Sequence, residues 1–184
     1  APEDVTPTMR TKVKAMSYGL AYGLSAFGLS KQLRIETSEA KALMTDYFAR
    51  FGGVRDYLRG VVEQAKIDGY TTTIFGRRRP FGDLHSSNRV LRDNAERQAL
   101  NSPIQGSAAD IIKRAMISVH GWIAQGEVPA RLVMQVHDEL VLEVRDDAVE
   151  AVEQGLRERM SAAAELRVPL RVDVGRGPHW DAAH

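Results

Sequence analysis

The sequence predicts an α+β protein, with a helical first half and a second half in which helices flank a small antiparallel β-sheet. Three observations carry this. Through about residue 69 the apolar residues recur at helical spacing, in runs punctuated by glycine. Leu132–Val136 and Leu140–Val144 are short apolar runs separated by His137-Asp138-Glu139, the pattern of a β-hairpin with a charged tip. Helical segments stand before and after that hairpin, and the change of character falls near residues 85–100.

In order along the chain, Pro7 is placed for a first helical turn, with Thr6 as its N-cap, and the helix runs to about Ala21, where Gly23 ends it. A short helix follows around Ser25–Leu33. Thr37 is positioned to cap the next helix, with Glu39 in its first turn, through Ala40–Phe51 to a break at Gly52-Gly53. Val54–Ile67 is amphipathic and closes at Asp68-Gly69. Tyr70–Phe75, rich in Tyr, Thr and Ile, favours a strand, and Gly76-Arg77-Arg78-Arg79-Pro80 a basic turn. A polar loop through Ser86-Ser87 leads to a helix over about Val90–Leu100. Ser102-Pro103 then marks a new helix start, extending to about Ile123. After the hairpin, Asp147 caps a helix to about Ala164, and Pro169–Val174 is a last strand.

The composition narrows the function classes. In 184 residues, 43% hydrophobic and 27% charged content are those of an ordinary globular chain rather than a disordered one. No apolar run approaches the roughly 18 residues of a membrane span. The opening Ala1-Pro2-Glu3-Asp4 is polar and acidic, unlike a signal peptide, and the missing initiator Met is what a fragment or a processed chain would show. With no cysteine, disulfides and thiolate metal sites are excluded, which fits the cytoplasm. The net charge of +1 conceals an asymmetry. Residues 1–101 hold 16 Lys and Arg against 11 Asp and Glu, and residues 102–184 hold 9 against 13. A basic half suits phosphates and an acidic half suits metal cations, although scatter in solvated surface charge produces the same figures.

Four constellations carry candidate chemistry. Arg10, Lys14, Tyr18 and Tyr22 are spaced by four, so they share one broad face of the first helix. Two cations suit a triphosphate and two rings suit a base or sugar; a solvated basic turn followed by two core tyrosines has the same spacing. Gly19 and Gly23 beside the tyrosines allow close approach of a ligand or another backbone. Gln135-Val136-His137-Asp138-Glu139 places carboxylates on a hairpin tip, where Mg²⁺ can take one or two of them together with substrate phosphates. An exposed polar turn is the other reading. Arg77-Arg78-Arg79 suits a phosphate clamp or a solvated turn. Arg97, Asn101 and Gln105, again spaced by four, suit reading of base edges, but Ser102-x-x-Gln105 is also a capping box. Asp110, in a small apolar stretch, reads as a buried structural acid.

Taken in order, these elements resemble the family A (DNA polymerase I-like) DNA polymerases over nearly the whole chain. Arg10-x3-Lys14-x3-Tyr18-Gly19-x2-Tyr22-Gly23 is similar to that family's motif B, and Gln135-Val136-His137-Asp138-Glu139 to its motif C. Gly76-Arg77-Arg78-Arg79 and Asn101-x-Pro103-x-Gln105-Gly106 stand between them as in the family. The resemblance implies a partial fingers subdomain over residues 1–90, with the motif B helix at 6–22. It implies a partial palm over 91–184, with the motif C hairpin at 131–145. It implies template-directed DNA synthesis with two Mg²⁺ ions, primer-template DNA and dNTP as partners, and a cytoplasmic, nucleoid-associated enzyme of replication and repair. Arg10 and Lys14 would hold the triphosphate, Lys14 also protonating the leaving pyrophosphate. Tyr18 would pack on the deoxyribose, and Tyr22 would occupy the template-base position until the helix closes. Arg77 would face the nucleic-acid backbone, Arg97, Asn101 and Gln105 would track the duplex minor groove, and His137 would lie near the primer terminus. Asp138 would be a metal ligand with Glu139 in support. A tyrosine at position 18 implies ready acceptance of 2′,3′-dideoxynucleotides.

The family's other metal-binding aspartate belongs to motif A, upstream of motif B, and nothing similar occurs here, where nine residues precede Arg10. The expectation is a chain inactive alone, dependent on an upstream segment that supplies that aspartate and a palm strand. Without that strand a sheet edge and part of its apolar face stand exposed. A non-catalytic duplex-binding module is the alternative, and nucleotide binding separates the two. A metal-dependent hydrolase built on His137-Asp138-Glu139 would need ligands that the five histidines do not supply in a familiar spacing.

Overall fold

The computed structural model describes residues 4–183; the opening Ala1-Pro2-Glu3 lies outside them. The architecture is α+β, with six α-helices and two separate two-stranded antiparallel sheets among the described residues. The chain divides between Gln105 and Gly106 into two compact units.

In the first unit, α1 (Pro7–Ala21) starts as its residues dictate. Thr6 Oγ1 accepts from the Met9 N–H at 3.2 Å, and Pro7 takes a position where its missing N–H costs nothing. Gly23 turns the chain at φ +73°. Ser25 caps α2 (Ala26–Leu33) by accepting from the Gly28 N–H at 3.1 Å. Thr37 is not the cap of α3 (Thr37–Arg50) but its first helical residue, with its hydroxyl 3.3 Å from that of Ser30; Glu36 precedes it without a side-chain cap. Gly52-Gly53 does not separate two helices but opens α4 (Gly52–Asp68), because Phe51 alone makes the turn. Gly69, at φ +78°, ends α4.

β1 (Tyr70–Thr72) pairs with β2 (Arg78–Pro80), in register Tyr70↔Pro80 and Thr72↔Arg78. The strand expected to reach Phe75 stops early because Thr73 builds the turn. Its Oγ1 accepts from the Phe75 and Arg77 N–H groups at 3.3 and 3.1 Å, and Gly76 adopts φ +81°. The expected basic turn is therefore half strand.

One helix, α5 (Arg89–Ala124), replaces the two expected around Ser102-Pro103. Ser102 does not cap a helix start; its hydroxyl donates to the Gln98 carbonyl at 2.7 Å, one turn back. Ala65, Leu84, Ala95 and Ala99 form the core of this unit, with Phe81 against it. Lys66 of α4 reaches Glu96 of α5 at 3.0 Å, and that hydrogen bond raises the lysine pKa above its ordinary value. No helix among the described residues is long and apolar enough to cross a membrane.

In the second unit, β3 (Ala130–Val136) and β4 (Glu139–Val144) form the predicted hairpin, with a bulge between Leu132 and Met134 that leaves Val133 unpaired. Their inner side chains Leu140, Leu142 and Val144 pack on a core of Val119, Trp122, Val152 and Leu156, drawn from α5 and α6 (Val149–Ser161). Asp147 does not cap α6. It lies in a 3-10 turn, Asp146–Ala148, with its carboxylate bonded to Arg145, and that bond lowers the acid's pKa and raises the arginine's. Pro169–Val174 is not a strand. Pro169 has no N–H to donate, and the Val172 carbonyl accepts from Arg157 Nη1 instead of a neighbouring strand.

Candidate functional site

Four-residue spacing on α1 sets Arg10, Lys14 and Tyr18 along one face, and Tyr22 follows at the C-cap. Both cations are exposed, and among the described residues no carboxylate pairs with either. Tyr18 is 57% and Tyr22 38% exposed, so they are not core tyrosines; Leu20 is the buried residue of this helix. Lys14 Nζ stands 5.8 Å from the centre of the Tyr18 ring. The result is an unneutralised cationic face continuing into two accessible rings, able to receive a polyanion with an apolar end.

The glycines beside the tyrosines serve this unit's own packing. A Cβ on Gly19 would stand 2.8 Å from Leu24 Cδ2, and one on Gly28 of α2 2.5 Å from Leu24 Cδ1. Leu24 is thus wedged between the two helices. Gly23 adjoins Leu100 of α5, at 3.6 Å from the position of a Cβ.

On α5, the unbroken helix carries Arg97, Asn101 and Gln105 on one stripe, and the capping-box role for Gln105 disappears with the break. Arg97 and Gln105 are exposed, and the Arg97 guanidinium bonds the Asn94 side chain. Asn101 is half-buried, with its Oδ1 shielded from solvent and without a hydrogen-bond donor. Leaving such a group unmatched costs about 1–3 kcal/mol.

The three consecutive arginines do different things. Arg77 is exposed beyond the Thr73 turn. Arg78 stacks over Tyr70, with Cζ 4.7 Å from the ring centre. Arg79 lies over Phe81 at 5.3 Å and donates to Ser102 Oγ at 3.0 Å and Gln98 Oε1 at 2.9 Å. Nothing in the local sequence signals this last set, because its partners stand about twenty residues away.

In the second unit, Val136 pairs with Glu139, so His137 and Asp138 alone form the hairpin tip. His137 adopts φ +51°, a left-handed conformation that costs a non-glycine residue roughly 1–2 kcal/mol. The Gln135 amide steadies it by donating to the His137 carbonyl at 2.5 Å. His137, Asp138 and Glu139 are all exposed. No group of three or more His, Cys, Asp or Glu side chains converges as a metal centre among the described residues. The tip carries carboxylates on two consecutive residues, Asp138 and Glu139, the hard-oxygen ligand type that Mg²⁺ takes. Asp110 is half-buried on α5.

Against known proteins, residues 1–182 match the model of DNA polymerase family A. The chain is 60% identical over 181 residues to DNA polymerase I of Mycobacterium leprae, 50% over 182 to that of Pseudomonas aeruginosa and 47% over 178 to that of Geobacillus stearothermophilus. These alignments cover 97–99% of this chain and 20% of each relative, so the chain spans about a fifth of their length. Among solved structures it is similar to the POL domain of Pol1 from M. smegmatis in complex with DNA primer-template and dNTP. That likeness has a TM-score of 0.94 and 60% identity, covering 98% of this chain and 32% of the other.

Proposed function

The chain belongs to DNA polymerase family A, and from that premise we propose that it is the dNTP-holding and partial metal-binding part of a template-directed DNA polymerase, joining dNTPs to a primer 3′-hydroxyl. The observation that carries the reading is the α1 face, where two cations without a carboxylate partner among the described residues lead into two exposed tyrosine rings. The likeness to a polymerase domain solved with primer-template and dNTP supports it.

On this reading Arg10 and Lys14 neutralise the triphosphate, and the Lys14 ammonium gives a proton to the departing pyrophosphate. Tyr18 packs on the deoxyribose, and Tyr22 holds the template-base position until the helix closes. Arg97, Asn101 and Gln105 follow the minor groove of the duplex, where only acceptors and the guanine amino group are displayed. Arg77 faces the phosphate backbone, and His137 lies near the primer terminus. Asp138, supported by Glu139, holds Mg²⁺; the chemistry supplied by the bound ions is activation of the 3′-hydroxyl and charge neutralisation on the leaving oxygens. The enzyme so described works in replication and repair, in the cytoplasm on nucleoid DNA.

The 184 residues hold Asp138 but no aspartate in a motif A context, so the chain alone has half of a two-metal site. Purified by itself it extends no primer. Nucleotide binding is the test of the reading. With Mg²⁺ the chain binds dNTP, and Arg10→Ala with Lys14→Ala abolishes the binding. A chain that binds duplex DNA but no dNTP would instead be a non-catalytic nucleic-acid-binding module.

A further inference from the structure

We propose that Arg79 is a positioning residue for the α5 stripe of Arg97, Asn101 and Gln105, and not a phosphate contact. This rests on the reading of that stripe as the duplex-tracking surface.

Arg79 is tied at three points within its own unit. β2 pairs it with buried Thr71, its guanidinium lies over Phe81, and two of its N–H groups are committed to Ser102 Oγ and Gln98 Oε1. The Ser102 hydroxyl can accept because its single proton goes to the Gln98 carbonyl at 2.7 Å. Arg79 therefore grips both ends of one helical turn, residues 98 to 102.

That turn needs support. Pro103 comes immediately after it and has no N–H to return to the Ala99 carbonyl, a defect that ordinarily kinks or ends a helix. Arg79 and Ser102 brace the turn from outside, so the helix continues. Asn101 stands inside the braced turn with a buried, unmatched oxygen, Arg97 just before it and Gln105 one turn beyond. The direction in which all three side chains point is set by whether this turn stays helical. A lysine cannot replace the arginine, because an ammonium does not span two acceptors with a planar fork.

The test uses the full-length polymerase carrying this segment, titrated with a fluorescent primer-template duplex at several KCl concentrations. Arg79→Ala lowers affinity about tenfold, equivalent to losing one good interaction, and leaves the slope of log K against log salt unchanged. Arg79→Lys is as weak as Arg79→Ala. Gln98→Ala with Ser102→Ala, which keeps the arginine, reproduces the loss and guards against a folding defect at position 79. In an Arg97→Ala, Asn101→Ala, Gln105→Ala background, Arg79→Ala has no further effect.

A slope reduced by about 1, with recovery in Arg79→Lys, identifies a phosphate contact and overturns the inference. Unchanged affinity in Arg79→Ala overturns it as well. If Arg97→Ala, Asn101→Ala and Gln105→Ala all leave duplex binding intact, the duplex-tracking reading fails and takes the inference with it.

Discussion

Replacing Gly155 with alanine sets two physical effects against each other, and the structure decides the sign. In a helix interior alanine is favoured over glycine by about 1 kcal/mol, so propensity alone makes Gly155→Ala stabilising. The added Cβ, however, would stand 2.3 Å from Trp122 Cη2 and 2.6 Å from Cζ2. That ring has nowhere to retreat. It is 7% exposed, packed with Val119, Val152 and Leu156, and covered by the Arg159 guanidinium at 4.7 Å. Forcing an extra carbon into a filled core costs typically 1–3 kcal/mol, so the net result is a destabilisation of about 1 kcal/mol, up to about 2. For a unit of this size the melting midpoint falls by roughly 5–10 °C. The assay is thermal unfolding followed by tryptophan fluorescence in a Trp180→Phe background, which leaves only buried Trp122 as reporter. Trp122→Phe removes the crowded part of the ring, so the double variant, which has no tryptophan reporter and is followed by far-ultraviolet circular dichroism, loses less than the sum of the single changes. A midpoint equal to or above the parent's for Gly155→Ala would refute the packing argument.

Other perturbations address the site directly. Asp138→Asn in the full-length polymerase should abolish primer extension while duplex binding persists, a loss exceeding the ~10–100-fold of outer-shell changes; substantial residual extension would count against the metal-ligand role. Lys14→Ala should raise the KM for dNTP and lower kcat, whereas Arg10→Ala should act mainly on KM, as steady-state kinetics on primer-template would show. Tyr18→Phe should restore discrimination against dideoxynucleotides, and equal incorporation ratios in both forms would sink that expectation. Glu153, 19% exposed, is bonded by Arg157 and then Arg176, which hold its carboxyl below the ordinary 4.5. A depressed value in the folded state means this clasp is fully formed above 4.5 and lost as the pH falls through the lowered value. Protection factors for hydrogen exchange in residues 169–177, taken against the intrinsic rate at each pH, should therefore fall in acid, and Glu153→Gln should abolish that pH dependence of protection.

Much of this was legible because the information is local. Thr6-Pro7 starts α1 and Gly69 ends α4 through groups within a few residues of each other. The α1 face and the hairpin tip follow from periodicity alone. What could not be read depended on distant partners. Ser102-Pro103 has the composition of a helix start, yet the helix continues there, with Arg79 bonded to Gln98 and Ser102 from β2. The apolar residues of 169–174 suit a strand, but Arg157 takes the Val172 carbonyl. At the site, the spacing of Tyr18 and Tyr22 suits core and surface equally; only the placement of α1 leaves them open to solvent. The left-handed His137 and the bulge at Val133 have no glycine to announce them.

The Leu24 wedge constrains how α1 can move. With glycine on each side and no clearance left at Gly19 or Gly28, α1 cannot roll about its own axis without driving Leu24 into α2. Any swing that carries Arg10 and Lys14 toward a bound polyanion must take α2 along, so the two helices act as a single lever arm. Exposed Phe27 and Lys31 on α2 travel with it, and a fluorophore attached there would report the stroke without touching the cationic face.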